Sequence, residues 1–528
     1  MPTPFKLTYS TMFDPPAELH AQFDETMMTV RSFLGAEHPM FIGGRDERAP
    51  LQFDVENPAD TRTLLGRFQA GDDDHAKAAM AAARAAFPGW AATPWTERIA
   101  LLRRVVALIE QRVVEIAAVL ALEVGKNRME ALGEVQETAD LIAYYCDQLE
   151  ANNGFVKSLL RDPLAGFVSE NTSVLRPYGP WLVIAPFNFP FALAGGPSGA
   201  ALAAGNTVVF KPSSATPWSG RLLALAFRDA GVPPGVFNFV TGTGATIGEA
   251  LAGHPDVAGA TFTGSYDVGM HLYRGFAQRP WPRPCIAEMG GKNAAIVSRH
   301  ADLSAAATGI LRSSFGLTGQ KCSACSRVLV EKPAFADFVA ELHAQTASVS
   351  TGDPTRREHW MGPVIDGAAV ARYEDAVAQV RALGEAGAIV AGGERLDHGD
   401  LAHGHFVAPT IARAPLDHPL WRRELFVPFV MVAPVPTLDD AFGLVNASDY
   451  GLTAGFYGSP VETEQFFDVI EAGVGYANRP QGATTGAWPG YQAFGGWKAS
   501  GSTGKAAGSV YYLPQYLREQ SQTRVQRG

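Results

Sequence analysis

The chain has 528 residues, 47% hydrophobic and 18% charged, with a formal net charge of −10 and a sequence pI near 5.7. That length predicts two or three domains with substantial cores, and the acidic balance argues against a nucleic-acid or anionic-membrane surface. Four cysteines in so long a chain make no disulfide framework, so a reducing cytoplasmic setting is expected.

In chain order, the first residues carry Lys6 and Asp14 and no apolar run, and do not read as a signal peptide. A helix over 18–34 is expected to wrap the first large domain. From about 72 to 150 the chain reads as helices. Asp72, Asp73 and Asp74 supply a cap and first-turn acids, and Pro88-Gly89 is expected to stop the first helix. Ile99, Leu102, Val106, Ile109, Val113 and Ile116 then recur at helical spacing, giving one buried face. A hairpin is expected over 167–178. Residues 177–210 carry no charge and are long enough to span a bilayer. Pro180, Pro186, Pro190 and Pro197 cut that stretch into pieces too short for a spanning helix, so it reads as buried strand, turn and buried helix.

Short apolar runs at 182–185, 207–210 and 236–240 alternate with helix-compatible stretches at 192–204 and 219–230. The alternation resumes with a strand over 326–330, a helix over 333–347 and a strand over 388–391. This pattern predicts parallel sheets covered by helices, hence an α/β chain with two doubly wound domains facing each other across a cleft. A late strand is expected over 511–523.

The chemistry-bearing residues sit in glycine-rich segments. Gly319-Gln320-Lys321-Cys322 puts a cysteine beside a lysine in a polar stretch that suits a reactive thiol better than a packed one. Glu288, in Glu288-Met289-Gly290-Gly291-Lys292-Asn293, offers a carboxylate base, and nucleophile plus base are the minimum for covalent catalysis. Gly242, Gly244 and Gly248 lead into an expected helix over 245–251 but miss the G-x-G-x-x-G spacing by one residue. Alone they are as readily ordinary turn glycines as a dinucleotide signal. Cys325 completes a C-x-x-C with Cys322, but with no second pair it reads as packing beside the nucleophile. Cys146 and Cys285 read as buried apolar thiols. The twelve histidines assemble no ligand set, and no metal is expected.

Together these segments resemble the aldehyde dehydrogenase superfamily. In order from about residue 40 onward, the chain carries Ala185-Pro186-Phe187-Asn188-Phe189-Pro190, Lys211-Pro212, Phe262-Thr263-Gly264-Ser265 and the Glu288 block. Gly319-Gln320-Lys321-Cys322, Glu424-Leu425-Phe426 and Phe494-Gly495-Gly496-Trp497-Lys498 follow. The resemblance implies a Rossmann-like cofactor domain over 1–160 and 179–286 and a catalytic domain over 287–500. It also implies a small β oligomerisation element over 161–178 and 501–528 that crosses to a partner subunit, giving a dimer or a multiple of dimers. By position, Cys322 would be the nucleophile, Glu288 the base that activates the hydrolytic water, and Asn188 an oxyanion donor. The oxyanion would be held by the Asn188 amide and the Cys322 N–H, each worth about 3–4 kcal/mol. Hydride transfer would leave a thioester, and the presence of Glu288 disfavours the relatives that pass the acyl group to coenzyme A.

The cofactor implied is NAD. Ile184, Pro186, Phe187, Phe262 and Phe426 would border it. Lys211 would contact its ribose, Gly244, Gly248 and Ser265 its adenosine and pyrophosphate, and Glu424 its nicotinamide ribose. Ser214 stands where strict NAD enzymes of the superfamily often place a glutamate, so NADP is expected to be tolerated alongside. The plainer reading is that Ser214 only ends a strand and leaves NAD use unchanged.

Ser323, Thr485-Gly486-Ala487 and Tyr491-Gln492-Ala493-Phe494 look like the Δ1-pyrroline-5-carboxylate dehydrogenase branch. There the equivalent serine and loop hold the α-carboxylate of L-glutamate γ-semialdehyde by charge-assisted hydrogen bonds. Glu137 would sit near the substrate entrance, and Phe189 and Phe494 would bracket the aliphatic chain. The implied reaction is oxidation of the semialdehyde to L-glutamate in proline catabolism. Extra residues over 478–483, Ala493 in place of a usual proline, and Val427 in place of a glycine depart from the pattern and bear on pocket shape. Two other readings stay open: a dehydrogenase of another semialdehyde or an aromatic aldehyde, and a catalytically silent scaffold. The scaffold predicts loss of Cys322, Glu288 or Asn188, and all three are present.

Overall fold

A computed structural model describes residues 15–483 and 486–528. Two seven-stranded sheets carry the fold. In the first, Pro180–Ile184, Thr207–Lys211 and Phe237–Phe239 run parallel in chain order to one side. The chain then crosses back to lay Gly259–Thr263 and Cys285–Glu288 on the other. Met40–Ile42 and Arg45–Glu47 extend the sheet antiparallel. Thr207–Lys211 is buried along its whole length, which is the signature of a strand covered on both faces. Because the strand order reverses between Pro180–Ile184 and Gly259–Thr263, a crevice opens outside their carboxyl ends, the usual ligand site of open α/β sheets.

The second sheet runs Ala388–Ala391, Thr410–Arg413, Phe429–Val435, Cys325–Glu331, Asn293–Val297, Thr453–Tyr457, Val474–Ala477. All neighbours are parallel except the first pair. Cys322 lies just before its strand, so the amino ends of this sheet face the carboxyl ends of the first.

Three local expectations are corrected. Pro88 does not stop the first helix, which runs Asp73–Ala92 from an Asp72 cap. Trp90 is buried with its Nε1 donating to the Leu202 carbonyl at 3.1 Å, so packing holds the last turn until Thr93 and Pro94 end it. The expected hairpin over 167–178 is a single strand, Phe167–Pro177, which has no internal Gly or Pro to turn on. It pairs along its length with Leu517–Arg527 and, on the other side, with Val156–Ser158. The late strand starts six residues beyond its expected start because Leu513–Tyr516 forms a short 3-10 turn. Tyr512 and Tyr516 are buried there against the first core.

Helices Ala192–Ala204 and Arg128–Ala151 approach closely. A Cβ on Gly199 would stand 2.7 Å from Ile142, so only glycine permits the contact. That approach sets the acidic face of Arg128–Ala151 beside the turn that follows Pro180–Ile184. Among the described residues no helix is long and apolar enough to cross a membrane.

Candidate active site

The loop before Cys325–Glu331 is held in an uncommon backbone. Leu317, Thr318 and Gly319 have φ of 48°, 54° and 66°, and such strain persists only where the surroundings over-determine it. Here they do. The Leu317 N–H donates to Glu130 Oε1 at 2.7 Å, and the Thr318 hydroxyl donates to the Gly362 carbonyl at 3.0 Å. Gln320 Oε1 accepts from the Ile365 N–H at 2.8 Å. Asn293 clips the next turn: its Nδ2 donates to the Cys322 carbonyl at 2.5 Å and the Ala324 carbonyl at 3.0 Å, while its Oδ1 accepts from the Thr453 N–H at 2.9 Å.

Cys322 ends this loop half-buried. Burial pushes its thiol up to about 12, with the Glu424 and Glu288 carboxylates adding to the rise. The resting thiol is therefore protonated, and Lys321 does not aim at it. The Lys321 ammonium is buried, donates to the Arg312 carbonyl at 3.3 Å and has Glu130 as its main opposing charge. Burial lowers it to about 8. Asn188, 2% exposed, donates one Nδ2 hydrogen to the Gln320 carbonyl at 2.8 Å. A primary amide has two such hydrogens, so a second donor remains beside the nucleophile's loop.

Glu288 ends strand Cys285–Glu288, and its Oε2 accepts from the Gly496 N–H at 3.0 Å. Burial raises this carboxyl to about 8 against that single stabilising donor. Glu424 reaches in from the second sheet's side, accepts from the Gly291 N–H at 2.9 Å and lies against Gly290, where a Cβ would collide with it. Burial raises its carboxyl too. The neighbouring Lys292 is buried with no hydrogen-bond partner on Nζ among the described residues, and burial lowers it to about 7.

The crevice at the carboxyl ends of the first sheet gathers the remaining expected cofactor residues. Ile184, Pro186 and Phe187 follow one strand, and the Phe187 ring meets that of Phe426 edge-on at 5.7 Å. Lys211 ends the next strand; its Nζ donates to the Pro212 carbonyl at 2.8 Å and burial brings it down to about 8. Its stem passes Gly248, where a Cβ would stand 3.5 Å from it. The helix expected over 245–251 is instead a π-helical turn, Gly244–Gly248, running into Glu249–Gly253. Thr243 caps that turn through the Thr246 N–H, which accounts for the start at Gly244. Ser265 caps Tyr266–Ala277, and the ring of Phe262 packs into the core behind it. Ser214 donates to the Gly242 carbonyl at 3.0 Å.

On the opposite side of Cys322, Phe189 lies under Lys126, whose ammonium is 3.4 Å from the ring centroid. Lys126 pairs with Glu134 at 2.7 Å, both fully buried. Glu134 Oε1 accepts from the N–H groups of Phe191 at 2.8 Å and Ala192 at 3.1 Å, fixing the helix that follows Asn188. Glu137, one turn on, is raised to about 8, first by burial and then by Glu134. The Ala487 N–H hydrogen-bonds its carboxylate, and Gly486 lies so close that a Cβ there would strike it. Ser323 is fully buried, and its hydroxyl has no partner among the described residues. Phe494 packs at the edge of the first core, with its backbone paired to Ala507. Thr485 lies outside the described residues.

The structure thus brings Cys322, Glu288, Asn188 and Glu424 to one place, with the glycine-rich crevice on one side and Phe189, Glu137 and the 486–487 turn on the other, while Ser323 follows Cys322 in the loop. Sequence reasoning missed Asn293 and Glu134 as positioning groups, and Lys126 altogether. The one available signal was Asn293, the polar residue that ends the Glu288 block; Glu134 and Lys126 stand in no quoted motif.

The sequence pattern of the aldehyde dehydrogenase family matches residues 45–521. A 1-pyrroline-5-carboxylate dehydrogenase of Anoxybacillus flavithermus is 35% identical over 522 residues, covering 97% of this chain and 98% of that one. The NAD-bound crystal structure of 1-pyrroline-5-carboxylate dehydrogenase from Thermus superposes with a TM-score of 0.91 at 31% identity, covering 100% of this chain and 99% of that one. A lactaldehyde dehydrogenase structure, 33% identical, covers 93% of this chain and 100% of that one with a lower TM-score of 0.85. Identity alone therefore does not separate these substrates; agreement over the whole length favours the first two. The chain belongs to the aldehyde dehydrogenase family.

Proposed function

We propose that this chain oxidises L-glutamate γ-semialdehyde to L-glutamate with NAD, as the names of its full-length relatives suggest. The observation that carries the substrate is the Ser323 hydroxyl, directly after Cys322 in the chain, buried and without a partner among the described residues. A buried hydroxyl without a partner costs about 1–3 kcal/mol, which a bound carboxylate would relieve. Glu137 already engages the Ala487 amide. Held protonated by burial below about pH 8, it can remain beside an incoming carboxylate without a full charge clash.

The crevice fits a dinucleotide. Gly244 has open space where a Cβ would stand, Gly248 lets the Lys211 stem pass, and two helical segments begin there, capped by Thr243 and Ser265. Lys211, Gly248 and Ser265 would hold the adenosine end, and Glu424 the nicotinamide ribose. When bound, NAD supplies the hydride acceptor. The chain's own residues do the rest. Cys322 Sγ gives its proton to solvent water and attacks the aldehyde carbon. The oxyanion is held by the free Asn188 N–H and the Cys322 amide. Hydride leaves the same carbon, and a thioester remains on Cys322. Glu288 then takes a proton from water as the water attacks the thioester, and Cys322 leaves as thiol or thiolate. Ser214 places no charge at the ribose, so NADP is tolerated. The test is incubation of the purified chain with NAD and L-glutamate γ-semialdehyde, with the amino-acid product identified. Stoichiometric L-glutamate supports the reading; NAD reduction with simple aldehydes but none with the semialdehyde removes it.

A further inference from the structure

Beyond the nucleophile's loop lies a cavity of about 440 Å³ with a basic wall. Arg128, Arg312, Arg356 and Arg357 line it and Lys321 forms part of its floor; Glu130 and Glu358 are its carboxylates. Cations gather here in a chain whose net charge is −10. The wall is built across elements far apart in sequence. Arg128 is ion-paired to Asp24 and donates its Nε to the Thr355 carbonyl at 2.9 Å. Asn127 Nδ2 donates to the Trp360 carbonyl at 2.8 Å. These contacts pin the 353–360 turn against the helical layer. The pinned turn presents Arg356 and Arg357 exposed, with Arg356 only 3.9 Å from Glu358.

Lys321 and Glu130 also line a second, narrower cavity together with Phe189 and Trp488. Lys321, the residue that precedes Cys322, therefore borders both the wide basic space and the space beside Phe189. We infer that the basic cavity is the vestibule through which aldehydes bearing a carboxylate reach Cys322, with Arg356 and Arg357 collecting that carboxylate on the way in. The inference rests on Cys322 being the nucleophile. Like charges at the mouth of a cleft with low-dielectric walls focus the field and raise the local concentration of an oppositely charged substrate. A guanidinium fork matches a carboxylate in shape as well as charge. An uncharged aldehyde gains nothing from either. Neither arginine touches the reacting atoms, so the effect falls on capture and not on the chemical step.

The test uses the full chain at saturating NAD with two four-carbon probes, succinic semialdehyde, which carries a carboxylate, and butanal, which does not. Arg356→Ser with Arg357→Ser is expected to lower kcat/KM for succinic semialdehyde about tenfold, the lower end of electrostatic focusing. Both kcat and the butanal constants should hold. Raising salt from about 20 to about 200 mM, which shortens the screening length severalfold, should reproduce that loss in the unsubstituted chain. Equal losses for both probes, no loss for the anion, or ready turnover of butanal with none of succinic semialdehyde would each overturn the vestibule. The contrast does not involve the amino-acid semialdehyde. Failure of the substrate assignment leaves it standing, and its own failure leaves that assignment untouched.

Discussion

Replacing Glu288 by Gln separates the two halves of the chemistry. Its Oε2 accepts one N–H, from Gly496, and Gln keeps an acceptor there while losing the base. Burial places the carboxyl at about 8. If thioester hydrolysis limits turnover, the rate follows the ionised fraction, about 9% at pH 7, half at pH 8 and 90% at pH 9. Turnover of the unsubstituted chain should rise about fivefold from pH 7 to 8 and by less than twofold from 8 to 9. E288Q should lose about 10²–10⁴-fold in steady state, the usual range for a general base, and lose that pH limb with it. Stopped-flow absorbance of the reduced cofactor should still show a burst of about one equivalent per site, because the hydride step precedes the need for Glu288. A folding control follows from the same shift. The carboxyl binds its proton more tightly folded than unfolded, so its burial is harmless below the unfolded value of 4.5 and grows costly as pH rises through about 8. E288Q should therefore gain stability relative to the parent between pH 5 and pH 9. A mutant with no burst, or with full turnover, would refute the role.

Asn293→Ala removes three hydrogen bonds around Cys322 and strands buried carbonyls, so a stability loss of about 3 kcal/mol is expected in denaturant unfolding. Slower alkylation-sensitive inactivation through a misplaced Cys322 should accompany it. Ser323→Ala should raise KM for L-glutamate γ-semialdehyde about tenfold or more through one lost charge-assisted hydrogen bond, with pentanal kinetics unchanged. Ser214→Glu should leave NAD use within about twofold and cut kcat/KM for NADP by at least about tenfold, since a carboxylate there would oppose the 2′-phosphate. Equal effects on both cofactors would return Ser214 to a turn residue tied to Gly242.

Strand and helix alternation was legible because Thr207–Lys211 and Ala192–Ala204 are apolar runs of different length with turn residues between them. Pro88 misled because the packing of Trp90 against Leu202 is invisible locally. The strand Phe167–Pro177 read as a hairpin because its partner, Leu517–Arg527, lies at the far end of the chain. In the site, Cys322 and Glu288 stand in glycine-marked segments and could be picked out one by one, whereas Asn188, in a proline-flanked block, came only through the family resemblance. What holds them could not. Glu134 capping the helix after Asn188, and Asn293 clipping the Cys322 turn, join residues through space, and their residue types say nothing of it. Lys321 looked like a partner for the thiol, yet its side chain crosses to the Arg312 carbonyl on the other side of the loop.

The most direct test of the substrate assignment is the ratio of specificity constants for L-glutamate γ-semialdehyde and pentanal, its five-carbon counterpart without amino and carboxylate groups, at saturating NAD. Two charge-assisted hydrogen bonds to the α-carboxylate, each worth about 1.5–3 kcal/mol, predict a preference of at least about hundredfold for the semialdehyde. Equal or better turnover of pentanal would contradict the account of Ser323 and the 486–487 turn as a carboxylate anchor.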